Sequence, residues 1–129
     1  MIPERYAPTV YAAFRIVFGL MFLMHGLQKF GLFGEQGSVD GFGGMMGAAK
    51  IIETLCGTLI ALGLFTRPAA FLASGQMAVA YFTVHQPIGA LPIQNMGELA
   101  VLYCFAFLYI ASRGGGMLSA DAQMGRPKR

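Results

Sequence analysis

The chain has 129 residues, of which 56% are hydrophobic and 12% charged, with 9 basic and 6 acidic side chains. A soluble domain carries roughly 25% charged residues to cover its high surface-to-volume ratio, so a soluble monomer is excluded, and the mean hydropathy of +0.60 agrees. A formal net charge of +3, carried largely at the termini, is no phosphate-tracking patch and excludes a nucleic-acid binder.

The apolar residues fall in blocks, and a membrane helix needs about 20 of them in a row. Four blocks meet that length, at about 9–28, 47–65, 68–85 and 96–112. The first is interrupted by Arg15 and His25. Arg15 sits where a cleavable leader would be apolar, and no small-residue cleavage site follows, so the block reads as a retained span. The segment from Gly31 to Gly47 holds seven glycines and reads as a mobile loop or as a short interfacial helix around Val39 to Met46. Lys50 and Glu53 stand in the first turns of the second block. Pro68 suits the first turn of the third, where its missing donor costs nothing. Pro87 and Pro92 bracket a loop over 86–95, and Glu98 opens the fourth block. The residues left over suffice for short loops and a tail over 113–129. The expected architecture is therefore all-α: an integral membrane four-helix bundle forming a single domain over 1–129.

Basic residues set the orientation. Arg5, Arg67, Arg113, Arg126, Lys128 and Arg129 share one side if the helices alternate. That side is the cytoplasm, with both termini in it, and the bundle belongs in a bacterial inner membrane.

Ionisable groups at membrane depth are costly, and each marks a candidate site. On this topology His25, Lys29, Lys50, Glu53, Tyr81, His85 and Glu98 share the outer third of the bundle, and Glu53 lies about 9 Å deep at 1.5 Å per residue. Arg15 is the exception, near the inner end. Arg15, Phe18, Phe22, His25 and Lys29 step by 3, 4, 3 and 4, which places them on one stripe facing the other helices. Lys50 and Glu53, three apart, can pair along the second helix. These features describe an outward-opening polar pocket. Glu53 and Glu98 are its candidate catalytic acids, and Arg15, His25, Lys29, Lys50, Tyr81 and His85 are its candidate binding residues.

Cys56 and Cys104 form no CxxC pair, which argues against disulfide exchange. The nine methionines lack a loop cluster with histidine, so no metal site is expected. Ala69 and Ala73, and Ala70, Ser74 and Ala78, repeat at spacing four, a packing signal for closely approaching helices. No HExxH, Walker loop or GxGxxG is present.

The ordered pieces Arg15…Gly19…Phe22…His25-Gly26…Lys29-Phe30, Glu53…Gly57…Leu59…Gly63-Leu64…Thr66-Arg67-Pro68-Ala69-Ala70, Gly97-Glu98-Leu99-Ala100 and Gly114-Gly115-Gly116…Leu118-Ser119-Ala120-Asp121 span nearly the whole chain. In these the sequence resembles the DoxX family of small four-helix bacterial membrane proteins. Three glycines stand where that family has a tighter glycine-proline pattern before its Ser-x-Asp. The resemblance implies a redox-linked protein that meets the quinone pool, or a small oxidised or sulfur substrate, in the outer pocket, since the family takes its name from a subunit of a thiosulfate:quinone oxidoreductase. The implied cofactor is a quinone. The partners to expect are the bilayer, a soluble redox enzyme and further copies of the chain. A non-enzymatic scaffold or assembly factor for a soluble redox or stress-response enzyme is the alternative. A transporter is the third reading, weakened because the chain is too short for an inverted repeat.

Overall fold

A computed structural model describes residues 1–34, 41 and 43–125. After a single 3₁₀ turn, Glu4–Tyr6, the elements in order are α1 (Ala7–Lys29), α2 (Gly44–Leu62), α3 (Thr66–Ala80), a π-helical turn (Tyr81–His85), α4 (Pro92–Asn95), α5 (Glu98–Arg113) and α6 (Ala120–Gln123). Among the described residues there are no strands. The most extensive packing joins α1 to α2 and α3 to α5, while α2 and α3 hold the two hairpins together.

Among the described residues, two helical stretches are long and apolar enough to cross a membrane, Glu4–Lys29 and Gly44–Leu62. The sequence led us to expect four. The shortfall has a local cause: α3 and α5 have only 15 and 16 residues, about 22–24 Å at 1.5 Å per residue, against a hydrocarbon core of about 30 Å. The third block keeps its helical course to His85, but its last five residues adopt the wider π geometry.

The α1–α2 contact is made by backbone. The buried stripe of α1 is Tyr11, Ala12, Arg15, Gly19, Phe22 and Gly26, so the contact face is centred on glycines. The expected stripe shares Arg15 and Phe22 with it, but Phe18, His25 and Lys29 lie at its edge, half-buried. A Cβ on Gly19 would stand 2.5 Å from the Ala61 nitrogen, and one on Gly57 2.5 Å from the Leu23 nitrogen. No side chain fits there, and close backbone approach is what packs helices where burial from water gives no drive. Gly57→Leu is expected to force the two helices apart and destabilise the protein by about 2 kcal/mol or more, in the range of overpacked cores. Unfolding in a denaturing-detergent titration measures this; an unshifted midpoint would contradict the packing.

α2 stops three residues short of its expected end. Gly63 takes φ 72°, and its N–H bonds to the Ile60 carbonyl while that of Leu64 reaches Leu59, a Schellman arrangement that needs a left-handed residue. Phe65 follows, also left-handed at φ 48°. α3 has no cap of its own. Asp121, 55 residues downstream, accepts from the backbone N–H of Phe65 and Thr66, each at 3.0 Å, and from Thr66 Oγ1 at 2.8 Å. Asp121 is positioned by α6, whose first turn is capped by Ser119 Oγ accepting from the Ala122 N–H at 3.1 Å. The expected tail over 113–129 is therefore part of the fold as far as α6.

Arg15 completes this end of the molecule. It is fully buried, and its guanidinium donates to four carbonyls: Ile60 at 2.9 Å, Ala61 at 3.0 Å, Met117 at 3.4 Å and Leu118 at 2.8 Å. Arg67 similarly donates to the last carbonyls of α5, at Ala111 and Ser112. The core between the two ends is aromatic and small: Phe22, Tyr103 and Phe107 stack among Cys56, Ile60, Ala70, Ala73 and Ile110.

Candidate functional site: an interhelical cavity with a polar wall

A cavity of about 680 Å³ lies among α1, α2, α3 and α5, at the end of the molecule opposite Arg15. Its walls are mostly apolar. Met45, Ile52, Phe71, Leu72, Val79 and Leu99 are among the residues that line it, and most of these are also exposed on the outer surface. The exposed ones come from α2, α3 and α5, so the cavity opens on the side of the molecule.

The polar wall is built across helices. Lys29 at the end of α1 donates to Glu53 Oε1 of α2 at 2.8 Å, and Gln76 Nε2 of α3 donates to Glu53 Oε2 at 3.2 Å. The Glu53 side chain is 4% exposed and that of Lys29 15%. A carboxylate this deep needs a cation and a second donor to offset its lost hydration, and it has both. His25 stands edge-on to the Tyr103 ring, with centroids 5.7 Å apart, and both line the cavity. Among the described residues, Gln76 Oε1 and the Tyr103 hydroxyl are fully buried and have no protein partner.

Four of the eight residues expected at the site therefore meet at the cavity: His25, Lys29, Glu53 and His85. The other four lie elsewhere. Lys50 is buried, but its ammonium donates to the Gly41 carbonyl at 3.1 Å and sits 4.5 Å from the Phe30 ring centroid. Glu53 thus pairs with Lys29 across helices, not with Lys50 along its own. Tyr81 serves the connection before α5. The fully buried Asn95 donates to the Tyr81 hydroxyl at 3.1 Å and to the Gly89 carbonyl at 3.0 Å, and accepts from the Gly97 N–H at 2.9 Å. His85 Nδ1 is 3.0 Å from the Asn95 carbonyl, which ties the same loop to the cavity wall. Glu98 is exposed at the start of α5. Arg15 holds the opposite end together.

Gln76 and Tyr103 were not among the residues expected at the site. Their signal was weaker: a glutamine and a tyrosine inside blocks otherwise built of apolar and small residues.

A helical chain with an apolar exterior and a buried ion pair beside a side-opening cavity is a membrane protein in its construction. The DoxX family model matches residues 10–86. The chain is also 43% identical over 126 residues to an uncharacterised protein of Haemophilus influenzae, covering 92% of each chain. No solved structure matches. The chain belongs to the DoxX family, and it is a membrane protein.

Proposed function

We propose that this is a multi-pass protein of the bacterial inner membrane, a four-helix bundle over 1–129 with both termini cytoplasmic, whose cavity binds the head group of a quinone-class carrier as part of a redox-linked function. The transmembrane placement of α3 and α5 is supported by their surfaces: Phe71, Leu72 and Val79 on α3, and Leu102, Phe105 and Leu108 on α5, are exposed. Apolar side chains presented outward from every long helix suit lipid rather than water. Arg5, Arg67 and Arg113 gather at the end away from the cavity, so the positive-inside rule turns the cavity outward.

The observation that carries the binding reading is the Lys29–Glu53–Gln76 wall at the back of a cavity that opens toward the lipid. A lipid-soluble molecule reaches such a site without crossing water. His25 offers a hydrogen bond to a ring oxygen, and Glu53 is placed to hold a proton near it. Glu53→Gln tests this. It preserves size and a hydrogen bond to Lys29 while removing the charge. In protein reconstituted in nanodiscs, affinity for a quinone is expected to fall about tenfold or more, the worth of a hydrogen bond to a charged group, with folding retained. Unchanged affinity overturns the reading. Absence of quinone binding in the wild type, with co-purification of a soluble enzyme, favours a scaffold instead.

A further inference from the structure

At the end of the molecule opposite the cavity the charges do not cancel. Arg67 and Arg113 stand side by side there. Arg67, in the first turn of α3, reaches the end of α5: its Nη1 donates to the Ala111 and Ser112 carbonyls at 3.0 and 2.8 Å, and its Nη2 to that of Arg113 at 3.4 Å. Those bonds fix the guanidinium and use three of its five donors. Nε–H and the second hydrogen of Nη2 remain, side by side on one edge, the fork that takes two oxygens of a single phosphate. The Arg113 guanidinium is held by rings, 5.1 Å from the Tyr11 centroid and 5.9 Å from that of Tyr109. Among the described residues nothing accepts a hydrogen bond from it.

Both arginines are exposed, and among the described residues neither pairs with a carboxylate. Of the described acids, Glu4 and Asp121 are at this end. Glu4 is offset by Arg5 beside it in the first turn. Asp121 is buried and turned to the N–H groups of Phe65 and Thr66. It counts once against Arg15, Arg67 and Arg113, which leaves positive charge in excess. Toward the middle of the molecule the surface turns apolar at once: Phe71, one turn after Arg67, and Phe105 and Leu108 on α5 are all exposed. A ligand that suits this place carries anionic oxygens at the helix ends and long apolar chains along the helices. A phospholipid has that shape, and the excess charge favours one whose phosphate is not cancelled by an amine.

We infer that Arg67 and Arg113 form a binding site for the head group of an anionic phospholipid, whose acyl chains lie along α3 and α5. The site is separate from the cavity and independent of quinone binding. It rests on the bilayer placement of α3 and α5 proposed above.

The chain has no tryptophan, so Phe105→Trp supplies a single fluorescent reporter on the exposed side of α5, about 12 Å before Arg113 at 1.5 Å per residue. In vesicles holding the full chain, quenching by lipids brominated in their acyl chains measures which lipid sits beside it. Phosphatidylglycerol is expected to bind about fivefold more tightly than phosphatidylcholine, the worth of about one arginine at a charged lipid surface. Arg113 makes no hydrogen bond through its side chain among the described residues, so Arg113→Gln keeps the fold, and it should remove most of the preference. Arg67→Lys keeps the charge and a donor for the α5 carbonyls but has no fork, and should weaken the preference. Arg5→Gln removes one charge from the same end and should leave the preference intact.

Equal quenching by the two lipids overturns the inference and leaves the bilayer placement standing. So does a preference unchanged in both Arg113→Gln and Arg67→Lys, or one that Arg5→Gln weakens as much as Arg113→Gln, which marks a diffuse field. Loss of the preference to millimolar inorganic phosphate, at constant ionic strength, assigns the two arginines to a free anion and overturns the lipid as its source. Absence of quenching by either lipid overturns the placement of α5 in the bilayer, and the lipid site with it.

Discussion

Arg15→Met is expected to destabilise the protein by about 3–5 kcal/mol and to free the C-terminal segment from the helices. The guanidinium is fully buried and donates to four carbonyls on two stretches of chain, Ile60 and Ala61 at the end of α2 and Met117 and Leu118 before α6. Removing it leaves those acceptors unmet in a buried place, at about 1–3 kcal/mol for each group that water cannot reach. The consequence spreads. Without Arg15 the segment 114–119 keeps the Tyr11 hydroxyl on the Gly114 carbonyl but loses its hold at Met117 and Leu118, which loosens Asp121; Asp121 is what caps the backbone N–H groups of Phe65 and Thr66. The start of α3 then frays. Arg15→Lys should recover less than half of the loss, because a single ammonium cannot fork to two separated carbonyl pairs. Unfolding in a denaturing-detergent titration gives the stability, and limited proteolysis around Gly116 gives the release of the segment. Wild-type protection of that segment in Arg15→Met would refute the clamp.

The second large effect concerns the Lys29–Glu53 pair. Lys29→Met or Glu53→Leu alone is expected to cost about 3–5 kcal/mol, because each strands the other charge at low exposure. The double replacement is expected to return to within about 1 kcal/mol of the wild type, since a buried ion pair exchanged for apolar side chains of similar volume is close to neutral. Binding should behave differently. Quinone or hydroquinone affinity is expected to be lost in both single variants and to stay lost in the double one. The double-mutant cycle therefore separates two roles that coincide in the wild type. If affinity returns along with stability, the pair is structural glue and the cavity's binding does not depend on it.

Much of this was legible in the residues. Helical content follows from apolar runs punctuated by Gly and Pro, a local property. Candidate site residues were legible where an ionisable side chain stood out against an apolar background: His25, Lys29, Glu53 and His85 all line the cavity. The same rule placed Lys50 and Glu98 beside them, where the cavity does not include them, because depth along a helix does not say which way a side chain turns. Lys50 and Glu53 are on the same helix at a spacing that permits pairing, yet the backbone contact through Gly26 and Gly57 brings the end of α1 against α2 so that Lys29 is the cation Glu53 meets. Gln76 and Tyr103 carry no charge, and only the fold shows that the first is the second donor to Glu53 and the second packs edge-on against His25.

The sequence by itself determined that this chain is helical, that it is built for lipid, and that its few charges mark the places worth examining. These follow from composition and spacing, which act over one or two turns of helix. Only the tertiary structure decided who pairs with whom. A carboxylate's partner, an arginine's four carbonyls and a cap donated from 55 residues downstream depend on how the helices are rotated and how closely they approach. That is set by glycine-sized contacts between segments distant in sequence, where a single Cβ would change the answer.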